Sequence, residues 1–147
     1  MRKHLLVAAM FFAIALSSHA SEADVKRACK NVASGSNTDL NLCLAAQSKE
    51  TDAQLNRAYA SALALAADHP LAKDMVPSLR TAQRAWINYR DRTCELSSWM
   101  EGWAYAPAKR PGCLQVLTGV RIKELDEIAQ CIKAEGFKGD AACPLSN

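Results

Sequence analysis

The sequence has little histidine and no closely spaced cysteines. Three of its 147 residues are histidine, and the two closest of its six cysteines are twelve positions apart. That spacing excludes the close cysteine pairs of zinc sites, haem attachment and thioredoxin-like redox motifs. Alternating strand patterns, internal repeats and low-complexity runs are also missing from the sequence. These absences favour a compact helical protein without a cofactor or metal ion.

The first twenty residues have the features of a secretory signal peptide. A basic head, "MRKH", precedes the apolar run "LLVAAMFFAIAL", which is too short to span a bilayer as a helix. Ser18 and Ala20 supply the small residues of a cleavage site. A membrane anchor is the alternative, and the run length argues against it. We therefore expect residues 1–20 to be removed and the protein to be periplasmic or secreted, without stable membrane insertion.

Removal of the signal leaves a nearly neutral chain. Arg2 and Lys3 are lost, so 16 of the 18 basic residues remain against 15 acidic ones. Such a balance predicts no long-range attraction to nucleic acid or to anionic lipid. His69 becomes the only histidine of residues 21–147. The length of this stretch suits one domain with an N-terminal arm and a C-terminal tail.

All six cysteines lie after the signal and predict three disulfides in an exported chain. Fifteen pairings are possible. Cys94–Cys113 is the first choice, because it would close the connection between the second and third helices. Cys29–Cys43 would attach the N-terminal arm to the first helix, and Cys131–Cys143 would follow in the tail.

Helical composition begins in residues 38–67, which contain no proline or glycine. Thr51 and Gln54 have the spacing of a capping box, so this stretch is either one long helix or two helices joined near residue 50. "DHP" at 68–70 predicts its end, because a residue before proline is disfavoured in a helix.

Two further helices follow. The second is predicted to begin between Pro70 and Pro77, and the two glycines and two prolines in residues 101–112 predict a loop before the third. Gly136 is a candidate C-cap for the third helix. The fold class is therefore all-α, a small antiparallel bundle of three principal helices stapled by disulfides.

Each predicted helix carries a stripe of residues at steps of three and four, which is typical of helix packing. The first stripe is Leu55, Tyr59, Ala62 and Ala66. The second stripe is Leu79, Ala82, Trp86, Tyr89, Thr93 and Leu96. The third stripe is Leu114, Thr118, Arg121, Leu125, Ile128 and Ile132.

These stripes predict that Trp86 and Tyr89 lie in the core. Arg121 faces the core as well and needs a counter-charge, so we expect it to pair with Asp91 or Glu95 of the second helix. Aromatic residues in and beside the loop, Trp103 and Tyr105 among them, form either a lid over the core or a recognition surface.

The strings "LNRAY" (55–59), "LRTAQRAWINYRDRTCEL" (79–96) and "GCLQVLTGVRIKEL" (112–125) resemble the LprI-like lysozyme-inhibitor family of small exported bacterial proteins. The resemblance covers residues 40–125, and its most specific part is "AQRAW..YRD..C". It implies a helical envelope or secreted protein with cysteines where Cys94 and Cys113 stand, and no catalytic residue. It assigns structural positions of the family motif to Tyr59, Trp86, Tyr89, Asp91 and Arg121. Gln83, Arg84 and Arg90 also stand on characteristic positions.

The resemblance implies a non-enzymatic inhibitor of lysozyme-type peptidoglycan hydrolases. Because such a cleft contains two carboxylates, a rigid surface presenting Arg or Lys would block it well. An alternative is a periplasmic binding or envelope-assembly module with an unknown protein partner. An enzyme is disfavoured, since His69 has no nucleophile signature beside it. Candidate partner-binding residues are Gln83, Arg84, Arg90, Trp103, Tyr105, Lys109 and Arg110.

Overall fold

The structure, a computed structural model, describes residues 16–100 and 106–134, with side chains in 22–33, 35–100 and 109–134. Four α-helices occur in these ranges, and no strand does: α1 Leu16–Ala28, α2 Asn37–Ala67, α3 Ala72–Met100 and α4 Ala106–Lys133. The predicted all-α class is confirmed. The chain divides into two compact units between Glu50 and Thr51. None of the described helices is long and apolar enough to cross a membrane.

The first unit contains a helix that the sequence did not predict. α1 runs to Ala28, and a short 3-10 turn at Val32–Ser34 leads to Gly35, whose φ of 78° lies in the left-handed region that glycine adopts readily. Ser36 then caps α2, because its Oγ accepts the Asp39 N–H at 3.4 Å. Gly35 and Ser36 are the two residues between the 3-10 turn and α2.

A disulfide joins the two helices of the first unit. Cys29, one residue after α1, bonds to Cys43 in the second turn of α2, with their Cα atoms 4.5 Å apart. The predicted 29–43 pairing is therefore confirmed. Few large apolar side chains are buried here, so the bridge supplies stability that a core would otherwise provide.

The open question about residue 50 is settled in favour of one helix. α2 continues through Thr51 and Gln54, so Thr51 is an interior residue of the helix and not an N-cap. The spacing of a capping box also occurs by chance inside helices, and Lys49, Glu50 and Ala53 near Thr51 are strong helix formers. The predicted end at "DHP" is confirmed, because α2 stops at Ala67 and the Leu71 N–H donates to His69 Nδ1 at 3.1 Å in the turn that follows.

α3 begins within the predicted window, and α4 begins earlier than predicted. Residues 106–112 are helical although they were expected to be loop; residues 101–105 lie outside the described part of the chain. Pro107 is the second residue of α4, where a missing N–H removes no intrahelical bond. Pro111 lies one turn further on and the helix continues through it, as α3 continues through Pro77. Gly136 lies outside the described residues.

The core of the second unit lies between the last half of α2, α3 and α4. Three of its four α2 members are alanines, and small side chains let helices approach closely. The partly buried Trp86, Tyr59 and Ile122 pack against it. The core consists of Leu55, Ala58, Ala62, Ala66, Leu79, Leu125, Ala129 and Ile132. The predicted first and third stripes are thus on the buried faces of their helices.

The second stripe is only half correct. Leu79 is buried, but Tyr89 is 57% exposed and Leu96 is 61% exposed, so the prediction that Tyr89 lies in the core is wrong. α3 is turned so that a neighbouring, more polar row faces inward. That row is Leu79, Gln83, Arg90, Cys94 and Ser98.

Candidate partner-binding site

The polar row of α3 contains a buried arginine that links three helices. Arg90 is 9% exposed, and its guanidinium reaches Asp52 Oδ1 of α2 at 2.7 Å. It also donates to Asp91 Oδ1 at 2.9 Å and to the Thr118 hydroxyl of α4 at 3.1 Å. A guanidinium offers five N–H donors in a fixed fork, which suits three partners in different directions.

A second buried arginine comes from α4. Arg121 donates from Nε to Gln83 Oε1 at 3.0 Å and pairs through its terminal nitrogen with Glu124 Oε2 at 2.8 Å. The predicted partners, Asp91 and Glu95, are wrong. Asp91 is engaged by Arg90, and Glu95 lies on the outer side of α3, where it pairs with Arg92 at 3.2 Å.

Trp86 lies beside both arginines. The guanidinium carbon of Arg90 is 5.2 Å from the centroid of the Trp86 ring, and that of Arg121 is 5.8 Å from it. Both distances fall within the range of a cation–π contact, so the ring helps to hold two like charges in the interior. We call Trp86, Arg90 and Arg121, with the polar side chains that they bind, the arginine–tryptophan cluster.

The arginine–tryptophan cluster is built for rigidity. Among the described residues, no buried side-chain nitrogen or oxygen lacks a hydrogen-bond partner. Within the described ranges, no three His, Cys, Asp or Glu side chains are grouped as metal ligands. The cluster therefore connects the helices and presents no free reactive group.

A disulfide lies next to the cluster. Cys94 is fully buried one turn after Arg90, and it bonds to Cys113 of α4 with a Cα–Cα distance of 5.5 Å. The predicted 94–113 pairing is confirmed, and its position next to the Arg90–Thr118 contact shows that α3 and α4 are antiparallel. Cys131 is also disulfide-bonded. Its predicted partner, Cys143, lies outside the described residues.

An open cavity of about 440 Å³ lies beside the Cys94–Cys113 bridge. We call it the α3–α4 groove. Thr93 and Ser97 line it from α3, and Gly112, Val116 and Leu117 line it from α4. Its surface is mostly apolar, with Lys109 at one edge.

The seven candidate partner-binding residues separate into three groups. Gln83 and Arg90 are buried, so the expectation that they are free for a partner is wrong. Their side chains are occupied by Arg121 and by Asp52, 38 residues away in each case, and no local pattern reports such distant partners. Trp103 and Tyr105 lie outside the described residues. The exposed candidates are Arg84, Lys109 and Arg110.

Arg84 differs from the arginines of the cluster. It lies on the solvent side of α3, and within the described part of the chain its guanidinium has neither an ion pair nor a hydrogen bond. The same holds for Arg80, one turn earlier, which the sequence did not single out. Two unpaired like charges at this spacing destabilise a helix slightly, so folding alone does not account for them.

Comparison with models of known protein families identifies the family of this chain. A model of the family described as lysozyme inhibitor LprI matches residues 29–125. The chain belongs to the LprI family. The matched range contains the Cys29–Cys43 and Cys94–Cys113 bridges and the whole arginine–tryptophan cluster. Cys131 lies beyond the LprI range.

Two bacterial proteins are similar to this chain. One is R02472 of Rhizobium meliloti (strain 1021), 36% identical over 106 residues that cover 65% of this chain and 75% of the relative. The other is YecT of Escherichia coli (strain K12), 30% identical over 111 residues that cover 66% of this chain and 68% of YecT. Both carry the description "uncharacterized". No solved structure matches the chain.

Proposed function

We propose that this LprI protein is an exported, non-enzymatic inhibitor of a lysozyme-type peptidoglycan hydrolase. Membership of a family described as lysozyme inhibitors is the observation that carries the proposal. The disulfides fit an oxidising compartment outside the cytoplasm, and residues 1–20 have the features of a signal peptide. The proposed location is therefore the periplasm or the medium.

Rigidity supports an inhibitory role. An inhibitor binds more tightly when its contact residues are held in place before binding, because less conformational entropy is lost. Here α3 is fixed by Arg90 to α2 and α4, and by the Cys94–Cys113 bridge to α4. The residues on its solvent side are thus presented on a helix that has little freedom to shift.

Arg84 is the residue that we propose enters the hydrolase cleft. A lysozyme cleft holds two carboxylates on either side of the bond that is cut. A guanidinium can form two parallel, charge-assisted hydrogen bonds with one of them. Arg84 is exposed and unpaired among the described residues, and Arg80 adds a second positive charge one turn away. The exposed Lys109 and Arg110 of α4 are candidates for peripheral contacts.

A lysis assay tests the proposal. Purified, oxidised protein is titrated against lysozymes of several classes, and the clearing of a peptidoglycan suspension is followed. We expect at least one class to be inhibited in a saturable way. Arg84→Ala should weaken that inhibition about tenfold or more, because an arginine at the centre of an interface contributes strongly to binding.

Arg92→Ala is the matched control for Arg84→Ala. Arg92 lies on the same helix and is exposed, but it already pairs with Glu95. Its replacement should leave inhibition unchanged. If no lysozyme class is inhibited, the proposal fails, and a periplasmic binding or envelope-assembly module with another protein partner becomes the better account. If Arg84→Ala and Arg92→Ala weaken inhibition equally, Arg84 does not enter the cleft.

A further inference from the structure

The apolar stripe of α3 is only partly used by the core. Leu79 is buried and Trp86 is partly buried, but Ala82, Tyr89 and Leu96 face solvent. These three exposed residues recur every seven positions, which is the repeat that pairs one helix with another. Packing of the core does not account for the exposed residues of this repeat, because their side chains lie outside the core.

Exposed apolar residues continue around the α3–α4 groove. Met100 lies one turn after Leu96 on α3, and Val116 and Val120 lie one turn apart on α4. Val116 lines the groove opposite Thr93, which lies between Tyr89 and Leu96 in the stripe. We call Tyr89, Leu96, Met100, Val116 and Val120 the α3–α4 apolar face.

The face is large for an exposed apolar patch on a monomer. Its five residues are 51–78% exposed, which amounts to roughly 500 Å² of surface. That lies toward the upper end of the largest apolar patch on a typical monomer, about 300–600 Å². A stable interface covers about 800 Å² on each partner, and the walls of the α3–α4 groove would add to the area of the face.

The charge of the chain permits a second copy as the occupant. After removal of residues 1–20, 16 basic residues face 15 acidic ones, so two copies repel each other very little. A seven-residue repeat on one helix is also suited to a two-fold axis, because the same patch then serves both partners. Thr93 lies midway between Tyr89 and Leu96 and is small enough to lie near such an axis.

We propose that the α3–α4 apolar face joins two copies of the chain, α3 against α3. The dimer does not depend on the proposed inhibition. Arg84 and Tyr89 are five residues apart, which places them about 140° apart around the helix. Association through the apolar face therefore leaves Arg84 of each copy accessible to a hydrolase.

Sedimentation equilibrium of the oxidised protein tests the dimer. At concentrations of tens of micromolar we expect a mass twice that of the monomer, falling on dilution. Leu96→Glu should raise the dimer dissociation constant about a hundredfold or more, because two charges would enter an apolar contact. Val120→Glu on α4 is the second variant, and circular dichroism of each variant establishes that it is folded.

Leu71→Glu is the matched control. Leu71 is an exposed leucine in the turn before α3, away from the apolar face, so its replacement should leave the mass unchanged. A monomeric mass at all concentrations would overturn the proposal. So would an equal response of Leu71→Glu and Leu96→Glu. If the wild-type protein is monomeric and Leu96→Glu no longer inhibits lysozyme, the dimer is ruled out and the apolar face binds the hydrolase instead.

Discussion

Replacing Arg90 by methionine removes the guanidinium that links α2, α3 and α4 and keeps most of the apolar length of the side chain. The substitution breaks the ion pairs with Asp52 and Asp91. It also removes the hydrogen bond to the Thr118 hydroxyl and the cation–π contact with the Trp86 ring. Because the packing volume changes little, the variant measures the polar links of the arginine–tryptophan cluster more directly than an alanine would.

The expected destabilisation can be worked out interaction by interaction. Thr118 is 1% exposed, and leaving its hydroxyl without the Arg90 donor costs about 1–3 kcal/mol. Removing the cation–π contact costs about 0.5–2 kcal/mol. Asp52 and Asp91 are about half exposed, so water replaces much of what Arg90 supplies, and each pair adds about 0–1 kcal/mol. Part of this is offset because methionine is buried more readily than arginine. We expect the free energy of unfolding to fall by about 2–4 kcal/mol in total.

Urea unfolding followed by circular dichroism measures this destabilisation. Arg92→Met is the matched control, because Arg92 is on the same helix with a side chain that is 76% exposed. Its pair with Glu95 is worth about 0.2–0.5 kcal/mol. If the free energies of unfolding of Arg90→Met and Arg92→Met agree within about 1 kcal/mol, the reasoning that the cluster holds the helices together is refuted.

Further predictions concern the bridge and the glycines. Replacing both Cys94 and Cys113 by serine should lower the free energy of unfolding by about 3 kcal/mol, since a loop of 19 positions opens; an unchanged melting temperature would contradict this. Gly119→Ala should raise the free energy of unfolding by about 0.5–1 kcal/mol, because Gly119 lies inside α4 and an added Cβ meets nothing within 4 Å. Gly35→Ala should instead lower it by about 1–2 kcal/mol because of its positive φ, and chemical denaturation of the two variants should show opposite signs.

The fold was predictable where the signals are local or covalent. "DHP" marks the end of α2, and the bridges 29–43 and 94–113 follow from cysteines placed on either side of a connection. α4 begins earlier than expected because proline is tolerated in a first turn, a position that composition alone does not reveal.

The rotation of α3 was not predictable from apolar periodicity. A stripe of apolar residues indicates the buried face only when that face is apolar, and here the interior receives Gln83 and Arg90. Their burial depends on Arg121, Asp52 and Thr118 from other helices. Tyr89 and Leu96 have the correct spacing for a core and remain outside it. The rotation that buries the polar row therefore also leaves an apolar face exposed to solvent.

The most direct test measures lysozyme inhibition and melting temperature on the same two variants, Arg84→Ala and Arg90→Met, below the melting temperature of each. We expect Arg84→Ala to keep the wild-type melting temperature and to inhibit about tenfold or more weakly. We expect Arg90→Met to melt at a lower temperature and still to inhibit while it is folded. The account would be contradicted if Arg84→Ala inhibited fully and folded Arg90→Met did not inhibit. Arg84 would then not be the binding residue, and the role of Arg90 would not be only structural.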